Sequence, residues 1–331
     1  ETDLLKVLSL SKIVEYHQKF TIGEVEIELI DAGHILGSSS AIIKDAGRVV
    51  VFGGDIGNYP EDLAKPTEFI EQADTVVMES TYGDRNHPAE HPDTVLLGEI
   101  NTIEETGGAL LIPAFSLERT QVLLHKIHHM KSLGKVKAGT PIYMDSPMAI
   151  KATEIYKAYH NLLNEEINKD FAGGDPFDFP GLHVVKKAEE SEHIFFTEGP
   201  KIIIAGSGMM SGGRIVRHAQ NYLPLPTTRV LIIGFQAEQT LGRKISEGAT
   251  EVLIDRVPID VRASVTLLHS MSAHADQTKL LDWLSHIRGV SQVFLTHGEE
   301  ESRQVLKSEI EKKNLATSVV TPHLDDHCQI V

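Results

Sequence analysis

Short runs of β-branched and aliphatic residues recur along the chain, and most of them end in Gly, Asp or Pro. This pattern is typical of buried strands that are followed by turns. The predicted strands are Val25–Ile30, Val49–Gly53, Thr75–Met78, Ala109–Ile112, Pro141–Met144, Lys201–Ala205, Arg229–Ile233, Val265–Leu268 and Gln292–Leu295. Between several of them, helical spacing of apolar residues predicts amphipathic helices that begin at Ser116 and Asp276. The alternation predicts an α/β fold and excludes a β-sandwich and a helical bundle.

Composition narrows the class of protein further. The chain has 331 residues, with 31 Lys and Arg against 47 Asp and Glu, so its formal net charge is −16. An acidic balance argues against a general electrostatic grip on nucleic acid, unless bound metal ions restore positive charge. Cys328 is the single cysteine, which excludes an internal disulfide and a cysteine zinc cluster and favours a cytoplasmic location. No apolar run reaches the roughly 18 residues of a membrane span, so we expect no membrane partner.

Residues that can bind a metal ion or transfer a proton follow five of the predicted strands. They are His34, Asp55, Glu79, His274 and His297. Ligands of α/β proteins gather at the carboxyl ends of strands, so we expect these side chains to converge on one site. A single histidine after a strand is more often a hydrogen-bonded loop residue, but five such positions together favour a site.

Several segments carry a family resemblance. They are Asp31–Ser38, Phe52–Gly57, Glu79–Asp84, Ser272–Asp276 and Thr296–Gly298, together with Ile112–Gln121, Asp145–Ala149, Gly206–Arg214 and Gly234–Arg243. In this order they resemble the β-CASP branch of the metallo-β-lactamase fold, whose members include zinc-dependent nucleases of RNA processing and decay. The resemblance implies an αββα-type α/β fold with an inserted α/β domain. It also implies a lactamase portion at residues 1–83 and 262–331, an inserted β-CASP domain at 84–261, and substrate in the cleft between them.

The resemblance also implies a role for each strand-end residue. His34 would bind the first zinc ion, Asp55 would bridge two zinc ions and His297 would bind the second. Two cations roughly 3.5–4 Å apart stabilise both the attacking and the leaving oxygen of a phosphodiester displacement. His274 would protonate the leaving oxygen or contact the phosphate, and Glu79 would orient its ring and raise its pKa. Asp276 fits a helix cap better than a metal ligand.

A second group of residues is expected to contact substrate. The glycine-rich loop that contains Ser207 and Gly208 follows a predicted strand, and its backbone N–H groups could approach a phosphate closely. The basic residues expected near the substrate are Arg119, Arg214 and Arg243; a surface ion pair is the alternative for each of them. The implied partner is single-stranded RNA, with a homodimer or an RNA-processing complex as further possibilities.

One motif of the wider superfamily, His-x-His-x-Asp-His, has no counterpart in the sequence. His128 and His129 lie on the helix after Ser116 with the wrong spacing, and we interpret them as a solvated helix face. His34, Asp55 and His297 supply three of the roughly seven or eight ligands that two zinc ions need. Because the sequence begins with Glu1, we expect a fragment that lacks the N-terminal part of the lactamase fold, holds zinc incompletely and has little activity alone.

The function expected for the complete protein is zinc-dependent hydrolysis of RNA by endonuclease action, with 5′-to-3′ exonuclease action as an additional activity that the family allows. Two alternatives stay open at this point. One is a non-catalytic RNA-binding or scaffold subunit of the same family, and the other is a DNA nuclease of the same branch. Retention of all five strand-end residues favours descent from an active enzyme over a subunit that has abandoned catalysis.

Overall fold

The computed structural model describes residues 2–59 and 62–330. Its helices are α1 (Thr2–Leu10), α2 (Pro92–Thr106), α3 (Arg119–Ser132), α4 (Pro147–Ala158), α5 (Glu165–Gly173), α6 (Ala188–His193), α7 (Arg214–Tyr222), α8 (Leu241–Ser246), α9 (Gln277–Ser285) and α10 (Glu300–Lys312). Its strands are β1 (Phe20–Ile22), β2 (Val25–Asp31), β3 (Ser39–Asp45), β4 (Arg48–Phe52), β5 (Thr75–Glu79), β6 (Ala109–Pro113), β7 (Ile142–Asp145), β8 (Leu182–Val184), β9 (Lys201–Ala205), β10 (Arg229–Ile232), β11 (Glu251–Ile254), β12 (Val257–Asp260), β13 (Ser264–Leu267), β14 (Gln292–Thr296) and β15 (Ser318–Val320). Short 3₁₀ turns cover His160–Leu162, Ile194–Phe196 and His269–Met271. The α/β prediction is confirmed, and each predicted strand has a counterpart.

The chain divides into two compact units. Unit 1 comprises residues 1–61, 66–86 and 274–331, and unit 2 comprises residues 62–65 and 87–273. Part of the chain therefore leaves unit 1 after residue 86 and returns to it at residue 274. Among the described residues, no helix combines the length and the apolar character needed to cross a membrane.

Unit 1 is built on a mixed sheet that, within the described residues, runs in the order β1-β2-β3-β4-β5-β14-β15. Its first four strands form an antiparallel meander, and β4, β5, β14 and β15 are parallel to one another. Val51 and Met78 on this sheet pack with Leu280 and Trp283 of α9 in one apolar core. Because β4, β5 and β14 are parallel, their carboxyl ends lie at the same edge of the sheet, and this edge carries the candidate site.

Unit 2 contains a parallel sheet in the order β13-β10-β6-β9-β7-β8, and β11 pairs with β12 in a separate hairpin. The inner strands β6 and β9 are buried along their whole length, as expected for a sheet covered on both faces. Strand β13 pairs in parallel with β10, with Arg229 opposite Ser264. This strand, which the sequence assigned to the lactamase portion, therefore lies in the sheet of unit 2.

Two predicted helix starts differ in how the backbone enters the helix. Asp276 caps α9, because its carboxylate accepts a hydrogen bond from Lys279 N at 3.0 Å. The other helix, α3, begins at Arg119 rather than at Ser116. Glu118 has a φ of 63°, which is outside the helical region, so the three residues before Arg119 form a turn.

Candidate active site

His34 is held in a tight loop at the end of β2. Asp31 accepts a hydrogen bond from Gly33 N at 2.8 Å, and Ser38 Oγ accepts one from His34 N at 3.1 Å. Gly33 has a φ of 65°, and a Cβ atom there would lie 2.6 Å from Thr67 N. Only glycine fits this position, so the loop geometry that presents His34 is fixed by its sequence.

Asp55 lies between two imidazole rings. Its Oδ2 atom is 3.8 Å from Nε2 of His34, and its Oδ1 atom is 3.5 Å from Nε2 of His297. Gly54 places this side chain by turning the chain with a φ of 63°, where a Cβ atom would lie 2.8 Å from Ser39 O. One carboxylate thus presents one oxygen to each histidine, which is the arrangement expected of a ligand shared by two cations.

His297 follows β14 in a backbone conformation that is unusual for a non-glycine residue, with a φ of 49°. Thr81 stabilises this turn, because its hydroxyl group donates a hydrogen bond to His297 O at 3.0 Å. The imidazole itself is 59% exposed, whereas the His34 side chain is only 12% exposed. Substrate can therefore reach the His297 side of Asp55 from solvent.

Glu79 and His274 form a second pair. His274 Nδ1 donates to the carboxylate of Glu79, with distances of 3.0 and 3.1 Å to its two oxygens. Ile56 N and Thr81 N also donate to this carboxylate, at 2.7 and 3.3 Å. Burial by itself would raise the pKa of Glu79, but the charge and hydrogen bond of His274 and the donors from Thr81 and Ile56 hold that pKa below its usual value. Glu79 is therefore an ionised buried carboxylate that fixes the His274 ring.

His274 lies in unit 1 but is not part of any of the strands described for that unit. It forms an isolated antiparallel bridge with Gly57, and Ala275 N donates to Ile56 O at 2.8 Å. Its ring centroid is 4.4 Å from that of His34 and 5.7 Å from that of His297. Ligand atoms of His34, Asp55 and His274 lie within 4.8 Å of one another, a spacing that could hold a metal ion. The structure thus brings all five strand-end residues together.

The residues expected to contact substrate are distributed more widely. Ser207 and Arg214 line the same cavity of about 700 Å³ in unit 2, together with Ser116, Ser146, Lys151 and Arg217. The Arg214 guanidinium group is held by Asp145 and by Val185 O, the latter at 2.8 Å. The buried Asp145 carboxylate also accepts hydrogen bonds from Ser191 Oγ and from His218 Nε2, the latter at 2.7 Å.

The other three candidates lie elsewhere in unit 2. Gly208 is packed under an aromatic ring, since a Cβ atom there would lie 2.5 Å from Phe115 Cδ2. Arg119 is buried and donates a hydrogen bond to Met271 O. Arg243 pairs with Glu247 at 2.5 Å on the exposed surface of α8 and also donates to Gln236 O at 3.3 Å. For Arg243, the structure therefore shows the surface ion pair that the sequence left open as an alternative.

Two residues that organise these sites were not predicted from the sequence. Thr81 contacts both the His274 ring, at 3.5 Å, and the His297 backbone. No pattern points to a single threonine of this kind. Asp145 ends strand β7, so the rule that selected Asp55 and Glu79 could have selected it as well.

Comparisons with known proteins place the chain in a family. Residues 120–245 match the model described as the Beta-Casp domain, and residues 258–322 match the Zn-dependent metallo-hydrolase RNA specificity domain. A ribonuclease of Thermus thermophilus, TTHA0252, is 35% identical over 303 residues, which cover 90% of this chain and 68% of the relative. The chain belongs to the β-CASP family of metallo-β-lactamase-fold ribonucleases. The resemblance inferred from the sequence is confirmed.

Other relatives in this family differ in length. An RNase J-like protein of Methanocaldococcus jannaschii is 32% identical, and the match covers 90% of this chain and 70% of that protein. The cleavage and polyadenylation specificity factor subunit 3 of Dictyostelium discoideum is 27% identical, with 97% of this chain and 41% of the relative covered. The chain thus spans over two thirds of the prokaryotic relatives named here and less than half of the eukaryotic one.

Proposed function

We propose that this protein is a metal-dependent ribonuclease whose reaction centre is built around Asp55, beside the Glu79–His274 pair. The observation that carries the proposal is the position of the Asp55 carboxylate, which presents one oxygen to His34 and the other to His297. A shared carboxylate between imidazoles suits two adjacent cations, and a buried carboxylate–imidazole pair beside it suits proton transfer. Family membership supports RNA as the substrate.

The donor set fits zinc. Imidazole nitrogens and carboxylate oxygens are zinc ligands, and the RNA specificity domain matched here belongs to a Zn-dependent family. His34 and His297 would each hold one ion, and Asp55 would bind both. When bound, two zinc ions supply Lewis-acid stabilisation of the attacking and leaving oxygens of the phosphodiester. Because these residues give three of the roughly seven or eight ligands required, the 331-residue chain by itself is proposed to hold this zinc pair incompletely and to cleave little RNA.

His274 is proposed as the general acid. Glu79 accepts the Nδ1 hydrogen of this ring, so Nε2 is the nitrogen that holds a proton for the reaction. As water adds to phosphorus and gives up a proton to solvent, the bond between phosphorus and the leaving oxygen breaks and Nε2 donates its proton to that oxygen. Glu79 acts as a positioning residue, because it touches the imidazole ring and not the substrate, and its negative charge stabilises the protonated form of His274.

The cavity lined by Ser207 and Arg214 is proposed to receive a phosphate of single-stranded RNA. Its support is chemical: a guanidinium group, a lysine and several hydroxyl groups line one concave surface. The middle of the chain is proposed to be the inserted β-CASP domain, supported by the family match within residues 120–245. We also propose that the protein acts in the cytoplasm. It would do so as a homodimer or as part of an RNA-processing complex.

The test is RNA cleavage by the protein in its natural full length, with His274→Ala compared against His286→Ala. His286 is an exposed histidine whose Nδ1 atom lies 2.8 Å from Asp282 O of its own helix and whose ring lies against Phe69. We expect His274→Ala to slow cleavage by at least roughly 100-fold and His286→Ala to leave it unchanged. Full activity of His274→Ala would overturn the assigned role. RNA binding without cleavage by the wild type would favour the scaffold alternative, and equal cleavage of single-stranded DNA would favour the DNA nuclease.

A further inference from the structure

Two histidines on α3 and an aspartate on α5 meet at a point in unit 2 that the proposed reaction does not use. His125 and His129 are four residues apart, so a helix places them on the same face. Asp170 of α5 approaches both: its Oδ2 atom is 2.6 Å from His125 Nε2 and 2.9 Å from His129 Nε2. The two Nε2 atoms are 3.0 Å apart. Three possible ligand atoms thus form a small triangle.

Hydrogen bonds alone fit this triangle poorly. If both nitrogens donate to the ionised Asp170 carboxylate, the two N–H groups crowd onto one oxygen atom and their nitrogens lie 3.0 Å apart. If His129 donates to His125 instead, a nitrogen lone pair of His125 faces the carboxylate oxygen at 2.6 Å. With an ionised Asp170, the imidazole hydrogens therefore either crowd onto one oxygen atom or leave a nitrogen lone pair facing that oxygen. A cation bound to all three atoms would relieve this conflict, because it would accept a lone pair from each of them.

The size of the triangle allows a zinc ion to contact all three atoms. Its three atoms lie on a circle with a radius of roughly 1.6 Å, which is shorter than the roughly 2.0–2.1 Å bond from zinc to nitrogen or oxygen. A point at bonding distance from all three atoms therefore exists just above their plane. The side chain of His125 is 9% exposed, whereas that of His129 is 48% exposed. One ligand is thus fixed inside the protein while the outer side is open for ion entry and for a water molecule as the fourth ligand.

The nearest lysine does not block cation binding by His125, His129 and Asp170, because its charge is paired elsewhere. Lys126, the neighbour of His125 in the chain, is paired with Asp62 at 2.7 Å and with Asp93 at 2.8 Å. Burial lowers the pKa of His125, which favours the neutral ring that ligates metals. Burial by itself would raise the pKa of Asp170, but hydrogen bonds from the two histidines hold it below its usual value.

We propose that His125, His129 and Asp170 form a zinc site, here called the α3–α5 clip. It would join two helices across a sequence separation of 41 residues and stabilise unit 2 against unfolding. The interpretation of His128 and His129 as a solvated helix face is then only partly right. His128 is half-buried and stacks on Phe179 with a centroid distance of 5.2 Å, while His129 turns toward Asp170.

The test is zinc binding by the 331-residue chain that also carries Asp55→Ala, so that zinc shared through Asp55 is removed. In this background, His129→Ala and Asp170→Asn are compared with His193→Ala, an exposed histidine whose ring bonds within its own helix. We expect about one zinc ion per chain by elemental analysis after dialysis, and its loss in the first two variants but not in the third. Added zinc should raise Tm in the Asp55→Ala chain and in the His193→Ala variant only.

A crystal of the wild-type chain soaked in zinc gives a readout that does not depend on variant folding. We expect an anomalous difference peak at the zinc edge within bonding distance of all three ligand atoms. The proposal is overturned if that peak is absent, or if His129→Ala and Asp170→Asn retain the zinc content of the Asp55→Ala chain. Neither result would affect the Asp55 site, whose ligands are different residues.

Discussion

At the scale of single residues, the site depends on two carboxylates, Asp55 and Glu79, whose two oxygens have different partners. Asp55 offers one oxygen to each of two imidazoles, and Glu79 is buried with donors from His274, Ile56 and Thr81. A buried carboxylate without such partners would be protonated, because burial disfavours its charge. The ionised state of Glu79 therefore depends on the same hydrogen bonds that orient His274.

Substitution of Glu79 by Gln tests this dependence. The amide oxygen can still accept the Nδ1 hydrogen, but it no longer stabilises the protonated His274 ring. We expect kcat for RNA cleavage to fall by about 100-fold with KM nearly unchanged, and the decline in rate with rising pH to begin at a lower pH than in the wild type. The measurement is a pH–rate profile, with the exposed Glu90→Gln as the matched control. An unchanged profile in Glu79→Gln would show that the pair has no part in proton transfer.

The sequence predicted the five residues of this site because each stands near a predicted strand end and within a recognisable motif. It predicted less about Arg119 and Gly208, because a motif gives the position of a residue and not the direction of its side chain. Arg119 is turned into unit 2 toward Met271 O, and Gly208 is required by the ring of Phe115. Packing between elements that are distant in sequence decides both of these outcomes.

At the scale of elements, apolar runs predicted nine of the strands and missed β1, β3, β8, β11, β12 and β15. Strands β1, β8 and β15 have three residues each, and β12 is largely exposed, so their patterns are too weak to recognise. The sequence also did not predict that β13 pairs with β10, because tertiary contacts decide which strands pair. Asp145 illustrates the same point, since its carboxylate at the end of β7 binds Arg214 and His218 of α7.

Asp145 makes the stability of unit 2 dependent on pH. Burial would raise its pKa, but hydrogen bonds from His218, Ser191 and Arg214 lower it below the usual value. A depressed pKa gives stability that is present above the unfolded-state pKa of about 3.9 and is lost as the pH falls through the folded-state pKa.

Asp145→Asn, compared with the exposed Asp178→Asn, tests this contribution by urea unfolding. We expect Asp145→Asn to reduce the free energy of unfolding by about 3 kcal/mol near pH 6, because it leaves the largely buried Arg214 guanidinium group without a counter-charge. The difference from the wild type should narrow at pH 3, because Asp145 is then mostly protonated in the unfolded chain and folding must remove that proton. A difference that is the same at both pH values would show that the charge of Asp145 does not stabilise the fold.

At the scale of the whole molecule, a net charge of −16 is compatible with an RNA substrate. Part of the acidic excess lies in Asp55 and Glu79, whose charges are directed at imidazoles and at the cations proposed to bind there. Arg214, Arg217 and Lys151 lie around one cavity of unit 2, where Arg214 is paired with Asp145 and Arg217 with Glu192. Local contacts of this kind are proposed to bind the phosphate backbone through counterion release without an overall basic surface.

The most direct test of the central proposal is zinc content and RNA cleavage measured together for Asp55→Ala in the natural full-length protein. Asp260→Ala, at an exposed aspartate of β12 that pairs with Arg262, is the matched control. We predict that Asp55→Ala loses about two zinc ions per chain and all detectable RNA cleavage, while Asp260→Ala retains both. An Asp55→Ala protein with wild-type zinc content and cleavage would contradict the assignment of Asp55 as the shared metal ligand of the reaction centre.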